Sequence, residues 1–342
     1  MKKSIFIFGF VLILSNYINA QTKSEYKIAN KFSLSGDAGW DYLITDDATG
    51  RLFVSHGTMV HVVDVKTGKT IATISDLKGV HGIAIASEFN KGFITTGKDS
   101  GVTVFDLTTY AVTAKVKVTG ANPDAVLYDA FSKKVFVYNG RTSNATVMDA
   151  NTNKIVETIP LDGKPEFSVS DGNGKVYVNI EDKSEVCMIN STTLKVEQTW
   201  SIKPGEEPTG LALDNVTHRL FTVTDKLMVI LDAQTGKVIT SLPIGENVDG
   251  VAFDPELKRA YSSNGDGTMT VVQEENANSF KVLETVPTQK GARTITVDKK
   301  THHIYLPTAE FGETPEKTKD NPRPRPSLKP NSFTILDVEV VK

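Results

Sequence analysis

Residues 208–247 read PTGLALDNVTHRLFTVTDKLMVILDAQTGKVITSLPIGEN. Thr209 to Leu213 alternates towards an apolar strand, and Asp214-Asn215-Val216-Thr217-His218 is a turn cluster. Arg219 to Val223 reads as a second strand. Thr224-Asp225-Lys226 turns the chain into a third, Leu227 to Leu231, which ends at Asp232. Ala233-Gln234-Thr235-Gly236-Lys237 is a turn with glycine where a positive φ is expected, and Val238 to Pro243 is a fourth strand. Four short β-rich runs with tight turns make an antiparallel four-stranded sheet.

This unit recurs. Its aromatic falls at Phe53, Phe93, Phe136, Tyr177, Phe221, Tyr261 and Tyr305, in steps of 40, 43, 41, 44, 40 and 44 residues. A sustained period of this length marks a repeat architecture. Asp64-Val65-Lys66-Thr67-Gly68-Lys69 repeats the Asp232–Lys237 turn almost letter for letter, and Asp106, Asp149, Asn190 and Asp337 stand at the same third-strand exit. These residues are expected to set turns, because Asp and Asn side chains bond their own backbone two residues on. No segment shows sustained helical periodicity, which argues against helical and leucine-rich solenoids. Radial packing of four-stranded sheets about an axis buries their faces, which is a β-propeller. The expected fold is therefore all-β, a seven-bladed β-propeller with four-stranded antiparallel blades. The last unit is short of an outer strand, while Tyr26 to Leu34 is strand-like and precedes the first complete unit. This N-terminal strand is expected to complete the last blade and close the ring.

Composition fits one large soluble domain: 342 residues, 39 % hydrophobic and 23 % charged. The first twenty residues are a separate object. Lys2 and Lys3 precede an apolar run from Ile5 to Leu14, and Ile18-Asn19-Ala20 is an A-x-A-like cleavage site. Residues 1–20 are expected to be a signal peptide cut before Gln21, leaving residues 21–342 as the propeller. The chain is then exported, periplasmic or extracellular, with no membrane span after signal removal. Without Lys2 and Lys3 it carries 36 basic and 41 acidic residues, a net of −5. That balance argues against a broadly basic nucleic-acid-binding surface. Cys187 is the lone cysteine, so no internal disulfide is possible, and its apolar surroundings read as core.

Val135-Phe136-Val137-Tyr138-Asn139, followed by Ala145-Thr146-Val147-Met148-Asp149, resembles the YVTN-type propeller repeat. The Gly120-Ala121-Asn122-Pro123 lead-in belongs to the same pattern. Gly205-Glu206-Glu207-Pro208 repeats it, and Gly163-Lys164-Pro165 is one residue shorter. Units one, two and six depart from it, with Trp40, His81 and Val248 where Pro stands elsewhere. With the signal peptide, the chain resembles the secreted YncE-like seven-bladed propellers over about residues 25–342. The resemblance implies the fold and leaves the function open.

Function is sought where units break the pattern. Aligned by letter, Asp41, Gly82, Asp124, Glu166, Thr209, Asp249 and Arg293 share the position that leads into the innermost strand. They are expected to ring the mouth of the central channel, and converging acids there suit a divalent cation or a cationic ligand. The plainer reading is turn bonding and channel water. Trp40, His56 and His81 form a second group, expected on the same face with Asp41 as a metal or acid–base site. His61, His218, His302 and His303 are expected away from it. The aromatic-to-acid spacing is 11 to 13 residues in units one to five and 32 in the last, from Tyr305 to Asp337. The insert, residues 310–331, contains Pro322-Arg323-Pro324-Arg325-Pro326 and favours extended polyproline II. It is either a plain surface loop or a lid that lays Phe311, Arg323 and Arg325 over the mouth.

Two functions fit these readings. One is a secreted, monomeric binding or scaffold propeller that takes a small polar ligand, a metal, or a protein or peptide partner on the channel-mouth face. The other is a metal-assisted hydrolase or lactonase using Asp41, His81, Glu166, Asp249 and Arg293. There the metal would activate water and the arginine would steady an oxyanion. The sequence contains no nucleophile elbow, HExxH motif, phosphate loop or haem-attachment motif.

Overall fold

The computed structural model describes residues 24–319, 322 and 324–341. The expected signal peptide, residues 1–20, and Arg323 of the insert lie outside them. Seven four-stranded antiparallel sheets form the blades. From the axis outward, blade 1 comprises Trp40–Asp46, Arg51–His56, Met59–Asp64 and Lys69–Ile74. Blade 2 comprises Val80–Ala86, Lys91–Thr96, Gly101–Asp106 and Val112–Lys117. Blade 3 comprises Pro123–Asp129, Lys134–Asn139, Asn144–Asp149 and Ile155–Pro160. Blade 4 comprises Pro165–Ser170, Lys175–Ile180, Glu185–Asn190 and Lys195–Ser201. Blade 5 comprises Leu211–Asp214, Arg219–Thr224, Leu227–Asp232 and Val238–Pro243. Blade 6 comprises Val248–Asp254, Arg259–Asn264, Thr268–Asn276 and Ser279–Pro287. Blade 7 has Thr296–Val297, Ile304–Thr308 and Thr334–Val340 from the C-terminal end and Tyr26–Ser33 as its outermost strand. Each innermost strand touches the next around the axis, from blade 1 through blade 7 and back to blade 1.

The repeat aromatics hold the blades to one another. Phe53, Phe93, Phe136, Tyr177, Phe221, Tyr261 and Tyr305 are all buried. Among the described residues the apolar core divides into seven clusters, each spanning two neighbouring blades. Phe53 of blade 1 meets Phe105 of blade 2 at a ring separation of 5.6 Å. Truncating one such aromatic to alanine costs roughly 3–5 kcal/mol.

The turn acids behave as expected, with one exception. Asp64 Oδ1 accepts the Lys66 and Thr67 amides at 3.1 Å, and Asp232 Oδ1 accepts those of Gln234 and Thr235 at 2.9 Å. Asp337 has no following turn to set, because its outer neighbour comes from the other end of the chain. Its carboxylate instead accepts Asn30 Nδ2 at 2.8 Å and His303 Nδ1 at 2.6 Å, joining two strands of blade 7 to the residue that precedes Ile304–Thr308. Tyr26–Ser33 pairs along Thr334–Val340 from Tyr26↔Val340 to Ser33↔Thr334. Tyr26 reaches blade 6, where its hydroxyl accepts Arg259 Nη1 at 2.7 Å.

The seam between blades 7 and 1 contains residues the sequence placed elsewhere. His56 is fully buried and stacks on Phe333 with 4.0 Å between ring centres. Its Nε2 faces the Ala38 carbonyl at 2.8 Å and so carries the proton. Its Nδ1, 3.1 Å from His61 Nε2, then accepts the His61 proton. His56 thus bonds His61, and His81 bonds Asp41; His61, expected away from the group, is in contact with one member of it. An apolar seam can accommodate both rings only when they are neutral and bonded to each other. Trp40 also stacks on Phe333, at 5.4 Å.

Two outcomes follow from closure and from this seam. Deleting residues 21–36 removes the outer strand of blade 7 and should abolish cooperative thermal unfolding of the whole ring; a normal single transition in that truncation contradicts the closure. Burial lowers the pKa of His56, and burial together with the nearby His56 ring lowers that of His61 to about 4. Both folded values lie below the unfolded one, about 6.5. The stabilisation is thus complete above about pH 6.5 and lost as pH falls towards 4, where only the unfolded chain gains the protons. His61→Gln should flatten the fall of melting temperature across that window relative to the parent protein, and equal slopes would contradict the assignment.

Candidate functional site: the channel mouth

The mouth is built by a backbone irregularity. In blade 1 the first two strands pair Trp40↔His56 and then Leu43↔Val54, so Asp41 and Tyr42 face the single residue Ser55. Blades 2, 3 and 4 do the same at His81-Gly82, Asp124-Ala125 and Glu166-Phe167, and blade 6 carries the extra residue at Asp249. A β-bulge of this kind bends the strand and re-aims its side chains. The register also corrects the letter alignment. His81, not Gly82, stands level with Asp41, Asp124, Glu166 and Asp249, and Val80 is the counterpart of Trp40.

Polar side chains two residues beyond the repeat aromatic bond the bulge of their own blade or the inner strand of the next. Ser55 Oγ accepts the Asp41 amide at 3.1 Å. Thr95 Oγ1 accepts the Gly82 amide at 2.7 Å and donates to the Asp124 carbonyl of the next blade at 2.5 Å. Asn179 Nδ2 donates to the Thr209 and Gly210 carbonyls of blade 5 at 2.9 and 3.0 Å. Ser263 Oγ donates to the Arg293 carbonyl at 2.5 Å, and Thr294 Oγ1 closes the circle on the Asp41 carbonyl at 2.8 Å. Ser55, Thr95, Asn179 and Ser263 are buried, so each unmade bond would cost about 1–3 kcal/mol. The backbone at Asp41, Gly82, Asp124, Thr209 and Arg293 is therefore held before any ligand arrives.

The side chains on this ring are crowded with charge. His81 Nδ1 donates to Asp41 Oδ2 at 2.7 Å and lies 3.7 Å from Asp124 Oδ1. Arg293 pairs with Asp249, lies 3.8 Å from Asp41 Oδ1, and donates to the Trp40 carbonyl at 3.4 Å. Lys164 Nζ meets Glu166 at 2.6 Å and also holds Glu181. Burial, then the neighbouring Asp41 charge, pushes Asp124 above the usual carboxylate range. Burial, then Asp124, does the same to Glu166. Burial works against charge on His81, but the bond to Asp41 and the charge of Asp124 outweigh it and raise its pKa. Lys164 behaves likewise: burial opposes its charge and the two glutamates prevail.

Beneath the ring, Tyr42 of blade 1 reaches Phe167 of blade 4, with ring centres 5.3 Å apart. This pair lies within a channel of about 440 Å³ lined by the innermost strands of all seven blades. Burial, followed by the charges of Asp124, Glu166 and Asp41, raises the Tyr42 pKa well above the ordinary phenol value. The mouth is thus a cup with acidic walls and an aromatic floor. Tyr42, Phe167 and Lys164 escaped the sequence reading, as did the bulge-holding residues. The detectable signal was a small polar residue two positions after the aromatic in otherwise apolar strands.

The other expected site residues border the cup. Trp40 meets Phe311 of the insert at 6.2 Å as well as Phe333. The insert begins and ends as a paired stem, with the Phe311↔Leu328 bridge and the Gly312 amide donating to the Ser327 carbonyl at 2.8 Å. The Asn331 amide donates to Asp37 Oδ1 at 2.7 Å. Phe311 lies over Gly291, where a Cβ would come within 2.5 Å of its ring and φ is +85°. Arg325 is exposed, and among the described residues the ion pairs of the mouth are made without it.

Among the described residues, no helix is long and apolar enough to cross a membrane. The sequence matches no family model and no curated protein. In fold it is similar to a chain of the Kuenenia stuttgartiensis hydrazine synthase structure, with TM-score 0.71 and 15 % identity over 80 % of this chain and 94 % of that one. It is similar to the RRP9 WD40 repeats, with TM-score 0.75 and 10 % identity over 91 % and 98 %. It is also similar to a chain of the mitotic checkpoint complex, with TM-score 0.76 and 9 % identity over the whole of both chains. At these identities the likeness shows the propeller fold alone.

Proposed function

We propose that this protein is an exported, monomeric binding propeller whose channel mouth takes a small polar ligand through a cationic group. The observation that carries the reading is the acidic cup above Tyr42 and Phe167. Asp41, Asp124, Glu166 and Asp249 face it, while Arg293 and Lys164 are already paired. A cation entering there relieves carboxylate repulsion and meets the face of an aromatic ring, two attractions of the same sign. Export rests on the Lys2-Lys3 and Ile5–Leu14 pattern, and the YVTN-type motifs favour a secreted YncE-like propeller. The insert, anchored by Phe311 beside Trp40, is the lid or rim of this site. A protein or peptide partner on the same face is the scaffold form of this function; the similar chain in the mitotic checkpoint complex offers it a fold-level analogy.

A second reading, a metal-assisted hydrolase or lactonase, is favoured by one observation: the ligand atoms of Asp41, His81 and Asp124 all lie within 4.8 Å of one another. In it Glu166 and Asp249 serve as acid–base groups and Arg293 steadies an oxyanion.

Calorimetric titration with small primary and quaternary amines, against carboxylic acids of the same size, separates cation from anion recognition. An amine should bind saturably, and Glu166→Gln should weaken it about tenfold or more, the loss of one charge-assisted bond of about 1.5–3 kcal/mol. Binding of the acids alone, or amine binding indifferent to Glu166→Gln, would overturn the reading.

A further inference from the structure

We infer that Asp41, His81 and Asp124 form a binding site for one first-row transition-metal dication of the zinc or manganese class. The inference rests on reading the mouth as a cation-seeking cup and names one occupant of it. The three residues come from blades 1, 2 and 3 and meet because the bulges place them at the same register. His81 Nδ1 lies 2.7 Å from Asp41 Oδ2 and 3.7 Å from Asp124 Oδ1. A tetrahedral ion with bonds of about 2.0–2.2 Å requires donors about 3.4 Å apart. The two distances from His81 bracket that value, and all three ligand atoms lie within 4.8 Å of one another.

A second observation points the same way. Asp124 Oδ1 is shut off from solvent and accepts no hydrogen bond. A buried carboxylate oxygen without a donor is costly to maintain, and this one faces the ring nitrogen that would share the ion. Charge agrees. Among the described ion pairs of the mouth, Asp41, Asp124, Glu166, Asp249 and Glu181 share three cationic groups, Lys164, Arg293 and His81. A dication offsets much of that excess. On binding, His81 takes the neutral Nε2–H form and its Nδ1 lone pair takes the metal: a doubly protonated ring gives its Nδ1 proton to solvent, and a neutral ring carries its one proton on Nε2 instead. Asp41 Oδ2 is then freed from the Nδ1 proton to serve as a ligand, while Oδ1 remains towards Arg293.

The ligands are held in advance. The Asp41 backbone is bonded at its amide by Ser55 and at its carbonyl by Thr294. Thr95 binds both the Gly82 amide and the Asp124 carbonyl. Fixed backbone on three strands is the support that a metal site needs. Three protein ligands leave coordination positions facing the channel mouth, as in open sites. One imidazole and two carboxylates suit zinc or manganese better than calcium, which takes six to eight oxygens.

The competing location is the other histidine cluster, between blades 6 and 7. There His302 Nε2 lies 3.5 Å from Glu256 and His303 Nε2 lies 3.9 Å from Glu339, and all but Glu256 line one cavity. Among the described residues, the ligand atoms there do not gather three together within 4.8 Å, as those of the mouth do.

The test is titration of the exported chain, stripped with chelator, by zinc and by manganese, read by calorimetry and by thermal shift. One equivalent should bind and raise the melting temperature, with calcium at least tenfold weaker. Asp124→Asn and His81→Gln should each weaken binding at least tenfold, while His302→Gln should leave it unchanged. Should either mouth variant unfold, the stoichiometry and metal preference of the parent protein and the His302→Gln result still decide. No saturable binding, binding indifferent to both mouth variants, or loss on His302→Gln would overturn the site. Amine binding without metal binding overturns this inference alone. Metal binding without amine binding overturns only the organic-ligand reading.

Discussion

One extra residue at the head of an inner strand, pinned in blades 1, 2 and 6 by a buried hydroxyl from the strand beside it, is the constraint on which the mouth depends. Without the bulge, Asp41, His81, Asp124, Glu166 and Asp249 would follow ordinary strand alternation. With it, they meet at one level around the axis. Thr95 shows the economy of the device: one side chain accepts from its own blade and donates to the next. The same contact that fixes a site residue thus also joins two blades.

Such crowding of like charge is destabilising, and the fold can carry it because its stability lies elsewhere. Seven apolar clusters between blades and a strand-paired closure hold the ring. The mouth charges contribute little to those cores and are free to meet the demands of a ligand. The seam of blades 7 and 1 links the two levels: Trp40 and His56 stack on Phe333 beneath the ring, and Phe311 roots the insert on Trp40.

The fold was legible because its determinants are local and repeated. Phe53 and its six counterparts announced the period, and the Asp64 and Asp232 turns announced the strand ends. Closure by Tyr26–Ser33 was legible too, from a missing strand at one end and a spare one at the other. The site was legible only in part, because the letters do not show that a bulge re-aims these side chains. Unit two was read one residue out of step for a simpler reason: His81 stands 12 residues before Phe93, as Asp41 does before Phe53, but the alignment followed the Pro-like lead-in and put Gly82 there. The partners of His56 were not legible, because Phe333 and Ala38 are remote or outside the repeat. The reach of Tyr42 across the channel to Phe167 depends on ring diameter, which no single unit encodes.

The most direct measurement is an anomalous-difference map from crystals grown with manganese or zinc, collected on both sides of the metal absorption edge. The account predicts a single strong peak among His81 Nδ1, Asp41 Oδ2 and Asp124 Oδ1. A featureless mouth, or a peak only at His302 and Glu256, would contradict it.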